Sequence, residues 1–117
     1  MPSQGDLVLI PIPFTDLSSS KRRPVIVVSH DWYNATSPDL IVVAMTSNPQ
    51  QSDYSFVLTS ADLAQGSLNR PGTVRVDKIY TLAQTLIVKH FGRLRPEALG
   101  RIRERFQRLI SPSPPQP

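Results

Sequence analysis

The chain has 117 residues, 39% of them hydrophobic, with no cysteine and a net charge of +4; this fits one domain with a modest core and excludes disulfides and thiolate metal sites. No apolar run approaches the roughly 20 residues of a membrane span, and Met1-Pro2-Ser3-Gln4-Gly5-Asp6 does not read as a secretory signal, so a cytoplasmic protein is expected. The charge is uneven: residues 89 to 110 hold seven basic and two acidic side chains, a balance of +5, against −1 for the rest.

Leu7 to Phe14 alternates β-branched and aromatic residues, and Pro11 and Pro13 on one face predict an edge strand, since proline cannot donate to a central ladder. A serine-rich polar loop, Thr15 to Lys21, runs through Lys21-Arg22-Arg23 into Val25 to Ser29, whose unbroken apolar run predicts a buried strand. His30 to Asp39 reads as a loop, Leu40 to Met45 as a second buried strand ended by Thr46-Ser47-Asn48-Pro49, and Tyr54 to Leu58 as a short strand. A turn of helix is predicted within Ser60 to Ser67, and strands over Thr73 to Val76 and Ile87 to Leu94, the last broken near Gly92.

Five or six short strands predict a small, strongly bent sheet or barrel. One convincing helix follows, with Pro96 in its first turn and Leu99, Ile102, Phe106 and Leu109 at helical spacing. These apolar residues are expected to be buried while the intervening arginines face water, and Gly100 weakens the helix by roughly 1 kcal/mol. The domain is read as residues 1–110. The proline-rich segment 111–117 is read as a disordered or polyproline-like tail.

His30 and His90 make no metal site, and phosphate-binding glycine loops and serine-hydrolase elbows are absent. The polar residues at strand ends are more specific. Arg23 opens one strand, Thr46 and Ser47 close the next, and Arg75 and Asp77, two apart, share a strand face. A guanidinium, a hydroxyl and a carboxylate converging on one concavity suit phosphodiester chemistry, in which the cation offsets charge growing on phosphorus. The simpler alternatives are a solvated basic turn at Lys21-Arg22-Arg23, a surface ion pair at Arg75–Asp77 worth at most about 1 kcal/mol, and a Thr46 hydroxyl that satisfies its own turn.

Five ordered landmarks carry a resemblance: Gly5-Asp6-Leu7-Val8, Arg23-Pro24-Val25-Ile26-Val27-Val28-Ser29, Val43-Ala44-Met45-Thr46-Ser47, Val74-Arg75-Val76-Asp77-Lys78-Ile79-Tyr80-Thr81-Leu82 and Gly92-Arg93-Leu94. Over about residues 4 to 110 the chain resembles the MazF/PemK family of toxin endoribonucleases. The resemblance implies a mainly β fold with a C-terminal helix, an SH3-like barrel of the PemK/CcdB type. It also implies a homodimer, a cognate antitoxin, and metal-independent cleavage of single-stranded RNA, with no cofactor. In that family the RNA 2′-hydroxyl attacks the adjacent phosphorus, leaving 2′,3′-cyclic phosphate and 5′-hydroxyl ends.

By the same resemblance Arg23 stabilises the transition state and Thr46 is its hydroxyl partner. Arg75 and Asp77 match positions where some members place catalytic or RNA-contacting groups, while Ser47 at the strand end and the cations Lys21 and Arg22 are read from position and charge as catalytic support or RNA-binding residues. The chain departs from the family in its first loop, Phe14-Thr15-Asp16-Leu17-Ser18-Ser19-Ser20-Lys21, which lacks the glutamate of a Gly-Ser-Glu-Gln-like loop. His30 is read as an RNA-edge contact and His90 as structural. The same fold also serves gyrase-poisoning toxins of the CcdB type, so a non-catalytic toxin acting by protein binding is the alternative, and a degenerate, inactive binding domain a third.

Overall fold

The computed structural model describes residues 2–11, 22–49 and 52–112. Its elements are β1 (Asp6–Pro11), β2 (Arg22–Val27), α1 (Asp31–Thr36), β3 (Asp39–Thr46), β4 (Ser55–Leu58), β5 (Leu63–Gly66), β6 (Gly72–Ala83), β7 (Lys89–Leu94) and α2 (Pro96–Ile110), with short 3-10 turns at Ser60–Asp62 and Gln84–Leu86. All seven strands belong to one curled antiparallel sheet in the order β4-β6-β3-β2-β1-β7-β5.

The apolar runs of β2 and β3 are buried on both faces, as their composition predicts. Side chains alternate: Ile26, Val43 and Met45 join Leu7, Phe56, Leu58, Val74, Val76, Leu94, Ala98 and Ile102 in one core. Val25, Val27, Leu40 and Val42 join Val8 and Ile10 in a second core on the opposite face. A sheet with a core on each side must curl to close the second, and β6 supplies the bend. Ala44 pairs with Arg75 but Val43 pairs with Ile79, so residues 76 to 78 of β6 bulge away from β3. The distal half of β6 then turns Tyr80 and Leu82 onto the second core.

Several expectations need correction. β1 is not an edge strand, because β2 and β7 flank it on both sides. Pro11 escapes the penalty by position: β7 pairs with β1 only as far as Leu9, so the proline nitrogen lies beyond the ladder on that side. Pro13 and Phe14 lie outside the described residues. The predicted strand at 73–76 extends to Ala83, and the turn of helix expected within 60–67 is the 3-10 turn Ser60–Asp62, followed by β5, which was not expected. β5 and β7 approach so closely that a Cβ on Gly66, which has φ +83°, would sit 2.3 Å from the Phe91 carbonyl oxygen.

The segment read as a loop at 30–39 contains α1. His30 caps it, its Nδ1 accepting from the Tyr33 N–H at 3.1 Å. Asn34 is buried beneath it, donating to the Ser29 carbonyl at 3.0 Å and accepting from Ser29 Oγ at 2.5 Å. Gln84 completes this knot with Nε2 hydrogen bonds to the carbonyls of Asn34, Ser37 and Asp39.

In α2 only Ala98 and Ile102 are fully buried, and Phe106 stays 37% exposed. Its arginines are not simply wet. Arg101 and Arg105 lie over the Phe56 ring at 4.8 and 4.9 Å, and Arg108 lies over Tyr54 at 5.9 Å. The same guanidinium groups pair with Asp62, for Arg101, and with Glu104, for Arg105 and Arg108. None of the helices described is long and apolar enough to cross a membrane.

Candidate active site at the sheet rim

β2 begins, β3 ends and β6 begins at the same rim of the sheet, since the three are successive antiparallel neighbours. Val25 faces Ala44 and Thr46 faces Thr73, so the β2–β3 register carried two residues further sets Arg23 opposite Thr46. Residues opposed in this way share a face on strands about 5 Å apart. Arg23, Thr46 and Thr73 therefore form one row across three strands.

A cleft of about 480 Å³ opens at this rim, lined by Arg22, Arg23, Pro24, Met45, Thr46, Ser47, Asn69, Arg70, Pro71 and Gly72. Three guanidinium groups border it, and no acidic residue is among those that line it. Arg22, Arg23 and Arg70 have no hydrogen-bond or ion-pair partner among the described residues. The contrast is with Arg75, Arg93, Arg101, Arg105 and Arg108, each paired with a carboxylate. Cations held at strand ends with no described partner form a concentrated positive field. Thr46 Oγ1 accepts from the Asn48 N–H at 3.1 Å, as the turn-satisfying alternative expects. That contact uses a lone pair, and the O–H remains a donor.

The structure thus brings together Arg22, Arg23, Thr46 and Ser47. It does not bring Arg75 and Asp77 into the same cleft. They form a bidentate pair, Nε to Oδ1 and Nη2 to Oδ2 at 3.0 Å each, farther along β6, where Arg75 faces Ala44 rather than Thr46. The hydrogen bond from Arg75 holds the Asp77 carboxyl below its ordinary pKa, and Asp77 raises that of Arg75. Asp77 is accordingly a weakened base. Lys21 lies outside the described residues, as does most of the first loop. His30 is occupied as a helix cap.

Sequence reading missed Asn69 and Arg70, although Asn-Arg-Pro-Gly before a strand is a turn signal with a cation in it. It also missed the setting of His90. Asp6, 3% exposed, accepts from the Ser3 N–H at 2.8 Å and Arg93 Nε at 2.9 Å and lies 2.8 Å from His90 Nε2. Burial is the largest influence on its carboxyl and opposes ionisation, but the bonds from Ser3, Arg93 and His90 together outweigh it and lower the pKa. Residues 84 and 87 positions apart give no local signal of such a cluster.

At its rim a small curled β sheet gathers Arg22, Arg23 and Arg70 beside Thr46. Residues 3–110 match the model of the PemK-like, MazF-like toxin of type II toxin-antitoxin systems, and the chain belongs to that family. Among solved structures, it is similar to an endoribonuclease in complex with its cognate antitoxin from a mycobacterial species: 18% identity, TM-score 0.76, covering 97% of this chain and 100% of the other. It is also similar to MazF in a MazE–MazF crystal structure from Deinococcus radiodurans, at 22% identity and TM-score 0.75, covering 93% and 95%. The Mycobacterium tuberculosis toxin MazF-mt6 follows at 16% identity and TM-score 0.71, covering 88% and 93%. At these identities the likeness shows the fold. No curated protein sequence matches the chain.

Proposed function

We propose that this toxin-family chain is a metal-independent, sequence-preferring endoribonuclease that cuts single-stranded mRNA in the cytoplasm and is restrained by a cognate antitoxin. The observation that carries the reading is that Arg23 and Thr46 line one cleft, bordered by three arginines that have no partner among the described residues and lined by no described acidic residue.

In this mechanism the ribose 2′-oxygen attacks the adjacent phosphorus and the bond from phosphorus to the 5′-oxygen breaks. The 2′-hydroxyl loses its proton to solvent and the leaving 5′-oxygen takes one up, so the products are a 2′,3′-cyclic phosphate and a 5′-hydroxyl end. Arg23 meets the non-bridging oxygens as negative charge builds on them, and the Thr46 O–H donates to the same group. The nucleophile belongs to the substrate, so no metal-activated water is required. DNA lacks the 2′-hydroxyl and is not cut. Arg22 and Lys21 draw the phosphate chain toward the rim, Ser47 lies beside the scissile group, and Arg75 with Asp77 contacts RNA beyond the cleft.

The working unit is a homodimer of one domain spanning residues 1–110. Support comes from an apolar groove of about 250 Å³ beside α2, lined by Val28, Ile41, Val43, Ile79, Leu99 and Phe106 among others. Sedimentation at twice the monomer mass is the expected outcome.

The decisive experiment is incubation of the purified protein with a long defined RNA in the presence of a chelator, followed by mapping of the cut ends. Cyclic phosphate and 5′-hydroxyl ends from the wild type, and intact RNA from a folded Arg23→Ala variant, are expected. Full activity in Arg23→Ala sinks the assignment. Loss of toxicity on deletion of residues 111–117, with folding and RNA both intact, favours a protein-binding toxin instead.

A further inference from the structure

The wall of the cleft opposite β2 is the loop between β5 and β6, and it is fixed at both ends. At its start Leu68 donates its N–H to Ser60 Oγ at 2.8 Å, and that hydroxyl donates back to the Leu68 carbonyl at 3.2 Å. At its end Pro71 restricts the backbone, and Gly72 packs so tightly that an added Cβ would lie 2.9 Å from Met45 Cε. Between these anchors Asn69 and Arg70 line the cleft from the side facing Arg23 and Thr46. A fixed backbone places their side-chain donors and acceptors more accurately than a free loop does.

We infer that Arg70, assisted by Asn69, is a specificity-determining residue that reads the base of the nucleotide bound at the rim; this rests on the endoribonuclease reading above. The argument is one of division of labour across the cleft. Its volume of about 480 Å³ falls in the range of sites that hold one small ligand. With the phosphate engaged by Arg23 and Thr46 at one wall, the base of that nucleotide extends toward the other. Arg70 meets it with a planar fork of donors that no described carboxylate engages, and Asn69 adds an amide that both donates and accepts. A guanidinium matches a base edge carrying two adjacent acceptors, and guanine, with N7 and O6, presents that pattern best. Unpaired bases in single-stranded RNA expose the edges such a contact needs.

The test compares wild type, Arg70→Ala and Arg70→Lys by mapping cuts on one long defined RNA, with thermal unfolding measured for each protein. The expected result is that Arg70→Ala unfolds as wild type does, loses about 10- to 100-fold of its cleavage at preferred sites and spreads its cuts over sites differing at one guanine position. Arg70→Lys is expected to restore the salt dependence of RNA binding but not the base preference, because an ammonium ion lacks the fork. An unchanged preference in Arg70→Ala, an equal loss at every site, or a preference restored by lysine overturns the inference and makes Arg70 a backbone contact or a bystander. RNA left intact by the wild-type protein overturns the endoribonuclease reading itself, and this inference with it.

Discussion

Two clusters of cations at the sheet margins look alike in composition and differ in what surrounds them. At one, Arg93 and His90 converge on the buried carboxylate of Asp6, which ties β1 to β7. At the other, Arg22, Arg23 and Arg70 border a cleft that no acidic residue among those described lines. A cation that answers a buried carboxylate is consumed by the fold; one left without a partner at a strand end retains its field for a ligand. Arg75 stands between the two: it is paired, but with the exposed Asp77, and it neighbours the second cluster in space.

Substitutions that break this comparison should differ in kind. The largest effect is expected at the rim: Arg23→Ala or Thr46→Ala should reduce RNA cleavage by at least about 100- to 1,000-fold while the thermal unfolding midpoint stays at the wild-type value. Arg93→Ala should behave oppositely, with cleavage retained and stability reduced. The effect at the structural cluster is expected to be greatest for Asp6→Ala, which strips three donors of their acceptor and should lower unfolding free energy by about 2 kcal/mol in denaturant titrations.

The same cluster predicts a pH dependence. The Asp6 pKa is held below its ordinary 3.8, so the folded state binds its proton less readily than the unfolded state does. Its contribution to stability is therefore complete well above pH 3.8, declines as pH falls through that value, and is gone below the folded-state pKa. Asp62, whose pKa is also lowered, adds in the same window. Acid unfolding curves of wild type and Asp6→Ala should converge as pH drops; curves that stay parallel would remove Asp6 from the account.

A smaller effect sharpens the rim side. Arg22→Ala should weaken RNA binding and reduce the slope of log affinity against log salt by about 0.7, with less change in the rate of bond cleavage. The smallest is a control away from both clusters. A Cβ on Gly100 would meet no atom within 4 Å, so Gly100→Ala should stabilise α2 by up to about 1 kcal/mol and leave cleavage unchanged.

Much of the fold was legible because its signals are local. The two-faced apolar runs of β2 and β3, the first-turn proline of α2 and the strand-ending Thr46-Ser47-Asn48-Pro49 each declare themselves within a few residues. The errors came where tertiary placement overrode a local rule. Pro11 marks an edge only if a neighbour reaches it, and β7 stops short. α1 is capped by a histidine, outside the usual serine, threonine, aspartate and asparagine set, and is held by its own buried Asn34 bonding to Ser29 and by Gln84 from outside the helix. The arginines of α2 pack because β4 sets Phe56 beneath them.

The candidate site was half legible. Arg23, Thr46 and Ser47 stand at recognisable strand ends, whereas Asn69 and Arg70 reach the cleft only because β6 returns beside β3. Period-two alternation put Arg75 and Asp77 on one face correctly, but could not show that a guanidinium that close to a carboxylate closes on it.

By itself the sequence determined the mainly β class, the helix at its end and the ordered landmarks of a toxin family, because periodicity, turn chemistry and motif order are written along the chain. Only the tertiary structure decided which arginines are spent on carboxylates and which, among the described residues, have no partner. That depends on distances between residues remote in sequence, and one guanidinium is indistinguishable from another until its neighbours are known.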